Sequence, residues 1–150
     1  MRVGIRWSPF AVPIERANGD GWLVDTEGAV RTIDGFAMVD ATHDEGRQRL
    51  VDEAQAIADL GVTWVEVDEL WAASVDGVRA TGVTPQEAFQ EGLGILRGAI
   101  PEATLVGRAA PILESVGRLD AVRWSVLEPS SDVAQRLMLG PTNGVLWPLL

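Results

Sequence analysis

The 150-residue chain has no cysteine, no lysine and a single histidine, His43. Without Cys, disulfides, thiolate nucleophiles and Cys-ligated metals are excluded. One imidazole cannot build a His-rich metal site, and it argues against a Ser-His-Asp triad. All 12 basic residues are Arg, set against 22 acidic ones, for a net charge of −10. A chain of that sign repels phosphate backbones, so nucleic acid is not an expected partner. Apolar runs long enough to cross a bilayer are also lacking, and no basic-then-apolar leader opens the chain. A cytoplasmic protein without a membrane partner is therefore expected. The groups left for chemistry are carboxylates, guanidiniums and aromatic rings, which favour sugar-type acid/base work over acyl or redox work.

Hydrophobic residues make up 47% and charged residues 23% of the chain, as expected of one soluble domain with one core spanning residues 1–150. RVGIRW, residues 2–7, reads as a strand in which Val3 and Ile5 alternate against Arg2, Gly4 and Arg6. Residues 11–35 read as a long irregular stretch, and Trp22, Leu23 and Val24 mark it as packed and functional. FAMVD, 36–40, is a second short strand. Thr42 and Glu45 form a capping box, after which Leu50, Val51, Ala54, Ile57 and Ala58 share one helical face up to Gly61. Residues 62–68 return to strand.

Thr84, Pro85 and Glu87 open a helix that buries Phe89, Leu93 and Leu96 despite Gly92 and Gly94, which cost about 1 kcal/mol each against Ala. Strands at 104–107, 120–124 and 144–147 follow, with helices at 111–118 and from Ser130 to Leu139 between them. Alternating strands and helices imply parallel pairing with crossovers. An open doubly wound sheet and part of a (β/α) barrel both fit. No Gly-x-Gly-x-x-Gly follows the first strand, so a nucleotide-binding open sheet gains no support.

Acids and aromatics collect where strands end: Trp7, Asp40 and Asp68. In a (β/α) barrel those ends form the active face. Alternation puts Trp64, Glu66 and Asp68 on one face of their strand. If Val65 and Val67 pack under helices, both carboxylates point into the barrel mouth, and paired carboxylates are what glycoside hydrolysis needs. The residues alone leave a second reading for each acid. Asp68 is equally a solvated strand end, and Asp40 a charge favouring the helix start after it. Asp120 is equally the tether of a loop.

Seven blocks occur in a familiar order: VGIRWSPFAVP, GDGWLVDTEG, FAMVDATHDEG, VTWVEVDELWAA, ATLVGRAAP, RLDAVRWS and NGVLWPLL. Together they resemble the catalytic barrel of family 36 glycoside hydrolases, the α-galactosidase or melibiase type. The resemblance implies retaining hydrolysis of terminal α-galactosides, without metal or organic cofactor, and a carbohydrate as the partner. It puts Asp68 at the nucleophile position. It makes Trp7, Asp40, Glu66, Trp71, Arg108 and Arg123 candidate substrate contacts.

The chain departs from the family pattern in three places. Glu66 stands where the family carries Lys. Arg108 and Ala109 replace Cys-Gly after Gly107. Leu127 falls at the acid/base Asp, leaving its neighbour Glu128 as the candidate acid/base. Arg108 would offset the repulsion between Glu66 and Asp68 if it reaches across. The departures also admit a degenerate, non-catalytic relative that binds sugar or serves structurally.

The blocks correspond to barrel strands three to seven, so about five parallel strands are expected, as a partial TIM (β/α) barrel. Such a sheet leaves open edges. Self-association or a companion chain is expected to cover them, unless the chain is a truncated barrel.

Overall fold

The computed structural model describes residues 4–108 and 110–123, and the backbone of 145–146. In chain order the elements are β1 (Gly4–Trp7), β2 (Ala11–Pro13), β3 (Thr32–Ile33), β4 (Phe36–Met38), α1 (Asp44–Asp59), β5 (Trp64–Val67), α2 (Pro85–Ala99), β6 (Thr104–Arg108), α3 (Ile112–Ser115), β7 (Ala121–Arg123) and β8 (Val145–Leu146). Short 3-10 turns lie at Ile14–Arg16 and Leu70–Ser74.

The principal sheet runs β1-β5-β6-β7-β8. Its first four strands are parallel, with Arg6 beside Glu66, Glu66 beside Val106, and Arg108 beside Arg123. Val65, Val67, Leu105 and Val122 are fully buried in one core with Leu50, Ala54 and Ile57 of α1 and Phe89, Leu93 and Leu96 of α2. Both long helices thus pack on a single face of the sheet. A doubly wound sheet has helices on both faces, whereas a barrel wall has them on one. The chain is part of a (β/α) barrel.

Two expectations about strand direction are corrected. β8 pairs antiparallel with β7, so the parallel strands number four rather than five. Antiparallel neighbours need no crossover, so the alternation that orients the other strands does not orient this one. The expected helix from Ser130 to Leu139 lies outside the described residues. β4, the expected second strand, belongs to a separate antiparallel sheet in the order β2-β4-β3. That small sheet takes its two outer strands from the ends of the stretch expected to be irregular, and the residues between them are mostly turns and isolated bridges. Its strands of two or three residues are too short for a period to show. The expected packing does occur: Trp22 and Leu23 are buried, and Leu23 N–H donates to Met38 O at 2.8 Å.

Helix starts follow local chemistry. At α2, Thr84 Oγ1 accepts from Glu87 N, and Glu87 Oε2 accepts from Thr84 N, the full capping box. At α1 the cap is His43 rather than Thr42, because Thr42 Oγ1 donates instead to Asp40 Oδ1 at 2.7 Å. His43 Nδ1 accepts from Glu45 N. The first turn of α1 lies against the loop backbone. A Cβ on Gly46 would stand 2.0 Å from Asp40 O, and one on Gly21 would stand 2.4 Å from Gly46 N. Only glycine permits that approach. Among the described residues no helix is long and apolar enough to cross a membrane.

Candidate functional site

The side chains of β5 alternate between two environments. Val65 and Val67 go to the helix side, while Glu66 and the following Asp68 go to the other face. Register brings cations to them from three strands. From β1, Arg6 lies 3.5 Å from Glu66 Oε1 and 3.6 Å from Asp68 Oδ2. From β6, Arg108 Nη1 donates to Asp68 Oδ2 at 3.1 Å. From β7, Arg123 Nη1 donates to Glu66 Oε2 at 3.4 Å. The other Glu66 oxygen, Oε1, is buried without a hydrogen-bond partner among the described residues. Leaving a buried acceptor unsatisfied costs about 1–3 kcal/mol, and the nearest described donor to it is the Arg6 guanidinium at 3.5 Å.

The end of β5 is held from both sides. Asp68 N–H donates to Trp7 O at 2.8 Å, which extends the β1 pairing one residue past the strand. Glu69 then turns into the left-handed region at φ 51, ψ 34, and its N–H donates to Asp68 Oδ1 at 3.0 Å. That conformation is uncommon for a residue with a side chain. It breaks the strand at Asp68 and starts the turn at Leu70–Ser74. Trp71 Nε1 donates to the Glu69 carboxylate, which fixes Trp71 beside the strand end.

The structure therefore brings together four of the expected residues: Glu66, Asp68, Arg108 and Arg123. Arg108 does reach across to Asp68. Trp71 is half-buried one turn on, tied to Glu69 rather than to this cluster.

Trp7 is a correction. It pairs with Val67 in the register, which puts it on the helix side, where Nε1 donates to Glu53 Oε2 of α1 at 2.9 Å. Arg6 takes its place on the charged face. The alternation of Val3 and Ile5 against Gly4 and Arg6 already held that signal.

Asp40 is a second correction. It does not end a strand of the principal sheet. Its buried carboxylate accepts from Thr42 N, Thr42 Oγ1 and Ala80 N at 2.9, 2.7 and 2.9 Å, so it ties two loops together. Asp120 is likewise structural, accepting from Arg97 Nη2 and Leu105 N. Glu128 lies outside the described residues, as does Leu127.

A cleft of about 350 Å³ opens beside Asp40, lined in part by Asp20, Trp22, His43, Val78 and Arg79. Arg79 is buried, and its Nη2 donates to Val75 O at 2.6 Å. Burial pushes this guanidinium below its ordinary pKa, against the opposing pull of Asp40 and Asp76. None of the five clustered charges lines this cleft. They lie instead on the open face of the sheet, at the strand ends where barrel enzymes carry their chemistry. Among the described residues no group of three or more His, Asp or Glu side chains could hold a metal ion.

No protein-family model matches the chain. Solved structures do. TtGalA, an α-galactosidase from Thermus thermophilus in complex with stachyose, is similar at 27% identity with a TM-score of 0.67, over 81% of this chain and 28% of that one. Ega3 from Aspergillus fumigatus, in complex with galactosamine, shares the fold at 15% identity and a TM-score of 0.62, over 83% of this chain and 50% of its own. The glycoside hydrolase domain of PelA from Pseudomonas aeruginosa shares it at 16% identity and a TM-score of 0.62, over 87% and 53%. The chain thus spans under a third of the length of the Thermus enzyme, and its fold is similar to those of α-galactosidases and other glycoside hydrolase domains.

Proposed function

We propose that the chain carries the carboxylate wall of an α-galactosidase-like glycoside hydrolase site of the retaining type, with Asp68 as nucleophile. One observation carries the reading. Asp68 ends the second parallel strand on the charged face, where its Oδ2 meets guanidiniums from the strands on both sides. In the proposed reaction an Asp68 oxygen attacks the anomeric carbon while a second carboxylic acid, about 5–5.5 Å away, protonates the departing glycosidic oxygen. That second group, now a carboxylate, then takes a proton from water, and the water oxygen displaces Asp68 from the sugar. Arg108 and Arg6 serve by offsetting the negative charge that Glu66 places beside the nucleophile. The candidate acid, Glu128, would come from beyond β7.

A non-catalytic, sugar-binding reading is favoured by a different observation. Oδ2 of Asp68 is already held by Arg108 at 3.1 Å, and Oδ1 accepts from Glu69 N at 3.0 Å, so both oxygens are engaged before any sugar arrives. Hydrolysis of a chromogenic α-galactoside by the purified chain, beside Asp68→Asn, separates the two. Activity abolished by the substitution supports the nucleophile. Activity that survives it removes Asp68 from that role. Absence of turnover in both proteins, with sugar binding retained, leaves the binding reading.

A further inference from the structure

Five side chains form the ion-paired cluster, three guanidiniums and two carboxylates. Their sum is one surplus positive charge, in a chain whose net charge is −10. The neighbouring Glu69 carboxylate accepts from the Trp71 indole and joins none of these pairs. The layering is also asymmetric. The Glu66 and Asp68 side chains are 16% and 13% exposed, whereas those of Arg6 and Arg123 are 58% and 45% exposed. Cations therefore form the outer layer of the site.

These outer cations are only loosely used. The Arg6 guanidinium donates no hydrogen bond among the described residues, its two ion pairs being 3.5 and 3.6 Å long. Among the described residues Arg123 donates a single hydrogen bond, at 3.4 Å. Each guanidinium has five N–H donors in a planar fork, so most of this capacity faces outward. Beneath them, Glu66 Oε1 is a buried acceptor that lies 3.5 Å from Arg6 and accepts no hydrogen bond among the described residues.

We propose that the sugar taken by this site carries a carboxylate, as in a hexuronic acid. Arg6 and Arg123 hold that carboxylate, and a ring hydroxyl donates to Glu66 Oε1. The proposal rests on the carbohydrate-site reading above and narrows its substrate class. A planar carboxylate matches the guanidinium fork, and a neutral galactose has no anion to offer it.

D-galacturonate and D-galactose differ only in the oxidation of C6, so titrating both into the purified chain isolates the charge. Calorimetry at low and raised salt, on the chain and on Arg6→Gln and Arg123→Gln, reads it, with acetate as a bare carboxylate. Galacturonate is expected to bind about tenfold or more tightly than galactose. That ratio should shrink as salt rises and fall toward one in each Arg variant. Equal or tighter binding of galactose overturns the proposal and leaves the sugar site standing. Acetate binding as tightly as galacturonate overturns it in favour of a plain anion site. If neither sugar binds, the carbohydrate reading falls and takes the proposal with it.

Discussion

The two faces of the parallel sheet are made from the same strands and differ in almost every physical respect. On one, Val65, Val67, Leu105 and Val122 are fully buried under α1 and α2, and the single polar group of Trp7 is used on Glu53. On the other, Arg6, Glu66, Asp68, Arg108 and Arg123 form a partly wet ion-pair cluster. Neighbouring residues of one strand thus go to the core and to the charged face in turn. No single strand makes the charged face. Its cations come from β1, β6 and β7, and its anions from β5, so the cluster exists only in this register. A slip of one residue would send the charges into the core.

The contrast can be broken most forcefully from the buried side. Leu105→Ala removes a fully buried side chain and is expected to cost about 2–5 kcal/mol in urea unfolding. A loss below about 1 kcal/mol would mean that the helices do not pack there as described.

On the charged face, Arg108→Ala is expected to cost less, about 1–3 kcal/mol, by leaving Asp68 short of a charged donor. Pairing it with Asp68→Asn in a double-mutant cycle should show a coupling of about 0.5–3 kcal/mol. Additive effects would dissolve the pair.

Trp7→Phe tests which face Trp7 belongs to. Loss of its bond to Glu53 should cost about 0.5–1.5 kcal/mol and leave sugar affinity unchanged. A clear drop in sugar affinity would return Trp7 to the site.

The smallest effect belongs to neither face. Hydrogen bonds from the Thr84 backbone, and then from its hydroxyl, hold Glu87 below its usual carboxylate pKa. A lowered pKa in the folded state gives stability that is present above the ordinary value of 4.5 and lost as pH falls through the folded one. Melting temperatures from pH 6 down to pH 3 should therefore fall more for the parent chain than for Glu87→Gln. Parallel curves would remove the capping box as the cause.

Much of this was legible in the sequence because it is local. The capping box at Thr84 and the alternation of Val65 and Val67 against Glu66 and Asp68 depend on residues within four positions of one another, and both stand in the structure. The parts that were missed depend on partners far along the chain. Whether Trp7 faces sugar or helix is decided by its pairing with Val67, 60 residues on. Asp40 is satisfied by Ala80 N, 40 residues away. Thr42 lost its capping role to His43 because Asp40 competed for its hydroxyl. The short strands of the antiparallel sheet lacked enough residues to display any period. Arg6 is the instructive case, since its alternation with Ile5 marked it as facing away from the core, and its importance emerged only once Glu66 stood beside it.

The contact between Gly21 and Gly46 has a mechanical consequence. Backbone meets backbone there with no side chains to act as bearings, and Asp40 N–H donates to Gly21 O in the same seam at 2.9 Å. The loop that carries Trp22 and the first turn of α1 are therefore joined backbone to backbone, and a side chain at either Gly21 or Gly46 would push them apart.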